Sequence, residues 1–155
     1  MNMKKTHQLL SAALMLMSVS SIAKQAIEGT NYQSPSCGCC KGWVKHMNDN
    51  GFDINMTFEN NLHPIKQANG IRPQYASCHT AKIQGYVFEG HVPAQDVKKF
   101  LAEKPANLKG LAVAGMPMGS PGMEYNNQTM PYDVVAFDQH GNTVIWASYH
   151  QPQTP

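Results

Sequence analysis

Three cysteines within four residues, Cys37-Gly38-Cys39-Cys40, stand between a strand-like and a helix-like segment, and this placement restricts the fold more than any other feature. Cys37 and Cys40 have the C-x-x-C spacing that lets two sulfurs meet at the start of a helix. Unpaired backbone N–H groups and the helix dipole favour thiolates over thiols there. Cys39 sits inside that motif. A two-electron dithiol site needs two sulfurs, and a third competes with them. A cluster of soft metal ions, by contrast, uses every thiolate it is offered.

The elements around the motif follow from local patterning. Ala26 to Tyr32 reads as a first strand, and Ser34-Pro35-Ser36 as the turn that follows. Ser36 is the expected N-cap of a helix from about Cys37 to Asn50, with Gly51 just past its end. Trp43, Val44 and Met47 form its apolar face. Phe52 to Phe58 alternates apolar and polar, the pattern of a half-buried strand. A short helix is expected over Leu62–Asn69, with Pro64 in its first turn and Gly70 ending it. Thr80–Ile83 and Tyr86–Glu89 flank Gln84-Gly85 as a hairpin. Pro93 leads into a helix over Ala94–Lys104 that carries Val97, Phe100 and Leu101 on one face, and Pro105 stops it.

The resulting order, β-α-β-α-β-β-α over residues 24–104, is that of a thioredoxin/glutaredoxin-like α/β core. In such folds the loop entering the third strand packs across the start of the cysteine-bearing helix, where a cis-proline is usual. Here that loop is Tyr75-Ala76-Ser77-Cys78-His79-Thr80, with no proline at Cys78, His79 or Thr80. Cys78 is therefore expected to face Cys37, Cys39 and Cys40. A missing cis-proline weakens the likeness to disulfide-exchange enzymes, and four converging sulfurs favour metal. Residues 105–155 read as a C-terminal extension packed on the core and contributing to the metal site. It contains the apolar run Leu108–Ala114, a Met-rich loop over residues 115–124, and a β-hairpin made of Val134–Phe137 and Thr143–Trp146. No internal repeat and no second core are evident, and Gln151–Pro155 reads as a frayed end.

Residues 1–23 read as a signal peptide. Lys4 and Lys5 precede the apolar run Leu9–Met17, and Ser21-Ile22-Ala23 resembles an A-x-A cleavage site. The run is too short and too Ser-interrupted for a good membrane span. With no lipobox cysteine near the cut, the expected product is periplasmic, with no membrane attachment after cleavage. Losing Lys4 and Lys5 also cancels the formal net charge of +2. The near-neutral remainder has no basic run with interleaved aromatics, which excludes nucleic acid as a partner. A monomer is expected.

Four cysteines in an exported chain ordinarily suggest two structural disulfides. Their spacing argues against this. Adjacent Cys39 and Cys40 pair only through a strained ring, and a disulfide closing so short a loop removes little unfolded-state entropy. Met116, Met118 and Met123 lie among Gly and Pro with neither helical nor strand periodicity, so core filling explains them poorly. Thioether plus thiolate is a ligand set for Cu(I), and Met118 and Met123 flank a Gly-Ser-Pro-Gly turn. His79 adjoins Cys78, and His91 starts the third helix on the same rim. Imidazole accepts both Cu(I) and Cu(II). His7 lies in the leader, while His46, His63, His140 and His150 are expected to be solvent-exposed. Zinc normally uses paired C-x-x-C knuckles, absent here. An iron–sulfur cluster fits four thiolates but matches an exported, methionine-supplemented chain poorly.

Four blocks carry a family resemblance: Ser36–Trp43 with its C-x-C-C motif, Ser77–Ala81, Gly85–Ala94 and Gly115–Glu124. In these the chain resembles CopG-type copper-resistance proteins. The resemblance implies a periplasmic copper-binding protein with a thioredoxin-like domain and a metal-binding C-terminal extension. It implies a role in interconverting Cu(I) and Cu(II) beside copper-efflux systems, with copper ions and a periplasmic copper chaperone or efflux system as partners.

The leading expectation is a polynuclear copper site bridged by Cys37, Cys39, Cys40 and Cys78. Met118, Met123 and Met116 would cap it, and His79 or His91 would be further ligands. The competing expectations are a copper carrier or sink without redox turnover, and a thiol–disulfide oxidoreductase using Cys37 and Cys40.

Overall fold

The computed structural model of the protein describes residues 25–150. The expected signal peptide, including Lys4, Lys5 and His7, and the expected frayed end lie outside the described residues. The elements run β1 (Ile27–Gln33), α1 (Gly38–Asp49), β2 (Phe52–Phe58), α2 (His63–Ala68), β3 (His79–Ile83), β4 (Tyr86–Glu89), α3 (Ala94–Glu103), β5 (Gly110–Ala112), β6 (Tyr132–Phe137) and β7 (Thr143–Tyr149). A single 3₁₀ turn, Pro73–Tyr75, precedes β3. Among the described residues, no helix is long and apolar enough to cross a membrane.

One seven-stranded sheet, in the order β2-β1-β3-β4-β5-β6-β7, carries all of these strands. β1 pairs parallel with β2 and antiparallel with β3, and β3 pairs antiparallel with β4. This is the β-α-β-α-β-β-α order expected from the sequence, with α1 as the crossover between parallel β1 and β2. β5 then adds parallel to β4, and β6 and β7 continue antiparallel. β5 is absent from the expected strands, and its residues lie within the run Leu108–Ala114 that reads from sequence only as apolar. Gly110 is the reason: a Cβ there would lie 1.7 Å from the Val87 carbonyl oxygen, so the strand accepts only glycine at this point. Glycine within a short strand erases the alternation that marks one.

The larger core lies on the sheet face covered by α1 and α3. It joins Trp43, Val44 and Met47 to Phe52, Ile54, Ala81, Ile83, Phe88, Val97 and Phe100. The other face holds a smaller cluster of Ile71, Val87, Ala112 and Phe137. Trp43 is fully buried, and its Nε1–H donates to the Val92 carbonyl at 2.8 Å. Truncating an aromatic buried in this way ordinarily costs about 3–5 kcal/mol. His46, expected to be solvent-exposed, is half-buried, and its Nε2 accepts the Ala94 N–H at the start of α3. Trp43 and His46 therefore clamp α1 to the segment leading into α3, which is the segment that carries His91. His63, His140 and His150 are exposed, as expected.

Candidate metal centre

β1 ends at Gln33, and a turn in which the Cys37 N–H donates to the Ser34 carbonyl (3.1 Å) delivers the chain into α1. The N-cap is Cys37 rather than the expected Ser36: its extended backbone (φ −75°, ψ 98°) lets Sγ accept the Cys40 N–H at 3.3 Å. Oxygen caps dominate helix starts because they accept more strongly, so nothing in the local sequence favoured a sulfur cap. Cys37 Sγ is bonded to Cys40 Sγ, while Cys39 and Cys78 keep free thiols. Cys40 is fully buried, and Cys37 is half-buried.

Cys78 enters from the loop before β3, as the topology required. Its Sγ lies 3.7 Å from Cys39 Sγ, which is in turn 3.5 Å from Cys37 Sγ. The four sulfurs all lie within 4.8 Å of one another. A second group shares Cys78: Cys78, His79 and His91 also bring their donor atoms within 4.8 Å of one another. His79 Nδ1 is 3.3 Å and His91 Nε2 is 3.1 Å from Cys78 Sγ. His91 is fully buried, and its Nδ1–H donates to the Pro121 carbonyl at 2.8 Å. That bond fixes the tautomer and aims the Nε2 lone pair at the sulfurs, the orientation that metal-ligating histidines take from their outer partners.

Burial, with the His91 and Lys66 charges adding to it, holds His79 well below the ordinary imidazole range. Burial lowers His91 as well. Both rings are therefore neutral with a lone pair to give. Burial, reinforced by the neighbouring Cys39, pushes the Cys78 thiol up to about 12. A cation among these sulfurs would reverse that preference, because a coordinating thiol is deprotonated.

The Met-rich loop reaches the site through its backbone. Ser120-Pro121-Gly122-Met123 is a turn closed by the Met123 N–H donating to the Ser120 carbonyl at 2.8 Å. Gly122 has φ +86°, which with Pro121 before it matches a type II turn. The turn lies directly on α1: Gly122 Cα is 3.0 Å from where a Cβ on Gly42 would sit. Met118 and Met123 are half-buried on either side of this turn. Met116 is 52% exposed and lines a cleft with Tyr75, Met130 and Tyr132. Its neighbour Gly115 is tied to the Cys78 loop, accepting from the Ser77 hydroxyl and donating to the Ala76 carbonyl.

Sequence reasoning missed Glu89. This carboxylate is fully buried and pairs with Lys66. It accepts from the Ser77 N–H at 2.7 Å and from the Thr80 hydroxyl at 2.6 Å. Burial raises its pKa, with Lys66, Thr80 and Ser77 pulling the other way. Glu89 thus pins the residue that precedes Cys78. Replacing Glu89 by alanine leaves the Lys66 ammonium, which is 13% exposed, without its partner. Loss of one member of such a pair costs about 3–5 kcal/mol. Glu89→Gln keeps an acceptor for the Ser77 N–H, so it should lose less in thermal melts and keep more bound metal than Glu89→Ala. Equal losses in both variants would show that Glu89 does not act through Ser77.

Beneath the site, Asn31 and Gln33 are fully buried, and the Asn31 amide donates to Gln33 Oε1 at 2.7 Å. Gln33 stands opposite His79 in the sheet. Asn31 Oδ1, Gln33 Nε2 and His79 Nε2 have no hydrogen-bond partner among the described residues, so this part of the sheet carries unusual buried polarity.

Comparison with known proteins adds to this geometry. Residues 75–123 match the family described as "Protein of unknown function, DUF411". That stretch spans Cys78, His79, His91 and the Met loop, and leaves out Cys37, Cys39 and Cys40. A solved structure named "Copper resistance protein copG- Form 2" is 38% identical, covers 81% of this chain and 99% of its own, and has a TM-score of 0.76. Another, "Copper resistance protein copG- Form 1", is 39% identical, covers 80% and 98%, and has a TM-score of 0.75. No curated protein matches the sequence.

Proposed function

Because this chain belongs to the CopG-type family of copper resistance proteins, we propose that it acts in copper resistance as a periplasmic protein that binds several copper ions and interconverts Cu(I) and Cu(II). The observation that carries this reading is the convergence of four sulfurs within 4.8 Å, one of which, Cys78, is shared with two neutral imidazoles. Thiolates suit Cu(I), and imidazole suits both oxidation states, so the combined set serves both.

In the reduced protein Cys37, Cys39, Cys40 and Cys78 bridge the ions, and His79 and His91 complete the set. Met118 and Met123, with Met116 at the edge, cap it from the loop docked on α1. The N-terminus of α1 offsets the negative charge of the thiolates. Bridging sulfurs spread charge over several ions, which favours one-electron steps at each copper. A copper chaperone or efflux system of the same compartment would supply or take the ion.

The test is the copper content of reduced, purified protein loaded with Cu(I) under anaerobic conditions. More than one copper per chain is expected, with a clear fall in Cys39→Ser, because Cys39 links Cys37 to Cys78. One copper or fewer, unchanged by that substitution, rejects the cluster. A site that binds copper but catalyses no change of its oxidation state would instead be a carrier or sink.

A further inference from the structure

Cys37 and Cys40 are joined, while Cys39 and Cys78, with sulfurs 3.7 Å apart, are not. We propose that Cys37 and Cys40 are the electron store of this site: as a dithiol they reduce Cu(II) and close to a disulfide, and Cys39, Cys78, His79 and His91 keep the Cu(I) produced. This rests on the copper reading above and says where the electrons come from.

The geometry divides the cysteines into two pairs. Cys37 and Cys40 both lie at the first turn of α1 with Cα atoms 5.4 Å apart, inside the usual disulfide range of roughly 4.4–6.8 Å. The bond therefore sits within ordinary backbone geometry at the start of α1. Cys39 has no such partner in the motif, because its neighbour Cys40 is adjacent in sequence. Its sulfur stays unbonded, 3.5 Å from the bonded Cys37 Sγ and 3.7 Å from Cys78 Sγ, which comes from a different element. Closing the pair removes two sulfurs from the set but leaves Cys78 Sγ in contact with Cys39 Sγ, His79 Nδ1 and His91 Nε2. Two sulfurs and two imidazole nitrogens remain, a set that still suits Cu(I).

The step balances. The Cys37 and Cys40 thiols lose their protons to solvent, each thiolate gives one electron, and one S–S bond forms. Two Cu(II) ions gain one electron each. Cu(I) cannot accept these electrons, so Cu(I) alone leaves all four thiols intact. Restoring the dithiol requires a thiol reductant of the disulfide-exchange class. The half-buried Cys37 is the sulfur it can attack, and the fully buried Cys40 is the leaving thiol. The reductant returns to solution as its own disulfide.

The experiment uses protein that has been reduced and freed of reductant without oxygen, then given Cu(II) in one arm and Cu(I) in the other. A portion of each arm is desalted without oxygen and its bound copper counted; the rest is quenched in denaturant with a Cu(I)-specific chelator and an alkylating agent, and the cysteines are mapped by mass spectrometry. In the Cu(II) arm about two Cu(I) per chain should appear, as a two-electron couple requires. Two thiols should be lost, with Cys39 and Cys78 alkylated and Cys37 linked to Cys40. In the Cu(I) arm all four should be alkylated. Copper retained in the Cu(I) arm together with four intact thiols in the Cu(II) arm overturns the store alone, as does a bond between Cys39 and Cys78 or between chains. Failure to retain copper in either arm rejects the copper reading itself.

Discussion

Changing Cys78 to serine is expected to weaken copper binding more than any other single cysteine change. Cys78 is the one residue common to both groups of converging donors, the four sulfurs and the Cys-His-His set. Its sulfur lies 3.7 Å from Cys39 and within 3.3 Å of both imidazoles. Removing it therefore separates the two sets as well as deleting one ligand. Losing an outer partner of a metal ligand typically costs about 10–100-fold in affinity, and losing a shared ligand should exceed that. A serine oxygen is smaller and harder, so it fits the space without replacing the donor. The fold should survive, because Cys78 is half-buried in the loop before β3 and belongs to neither hydrophobic core cluster. Competition with a Cu(I) chelator, read beside a thermal melt, separates these effects. Affinity in Cys78→Ser matching that of Cys37→Ser would show that Cys78 is not the shared ligand.

How much of this site was legible in the sequence depends on the range of the interaction. The C-x-C-C motif and its helix are local, and α1 begins within a residue of the expected position. β2 and β4 match the expected bounds because alternating apolar residues and flanking turn signals announce them. Cys78 is 38 residues beyond Cys40, yet its place followed from topology: once β1 and β3 are neighbours, the loop entering β3 must cross the start of α1. Glu89 had no such signal. Its partners Lys66, Ser77 and Thr80 come from three separate segments, and an acidic residue at a strand end reads as a solvated one. The docked turn was hidden for a related reason. Gly-Ser-Pro-Gly specifies a turn but not what it packs against, and only the structure shows Gly42 and Gly122 meeting.

That contact makes Gly122 the position where a single methyl group should do most to separate the methionine loop from the sulfurs. A Cβ on Gly122 would lie 2.6 Å from both the Cys39 carbonyl oxygen and the Trp43 nitrogen, atoms of the α1 backbone that cannot yield locally. Its φ of +86° adds a conformational cost for any L side chain. Such strain costs on the order of 1–3 kcal/mol when the surroundings enforce it. Gly122→Ala should relieve it by lifting the turn from α1, which takes away the Pro121 carbonyl that orients His91. The four cysteines stay where they are, so the expected result is a protein that keeps its thiol count but binds copper less tightly. Gly115→Ala is the matched comparison. Gly115 lies in the same loop with φ +64°, but a Cβ there meets nothing within 4 Å. It should share the backbone strain and keep the copper affinity. If the two variants lose copper equally, the loop's strain rather than its docking on α1 controls the site; if Gly122→Ala alone loses it, the Gly42–Gly122 contact is what brings the C-terminal extension to the metal.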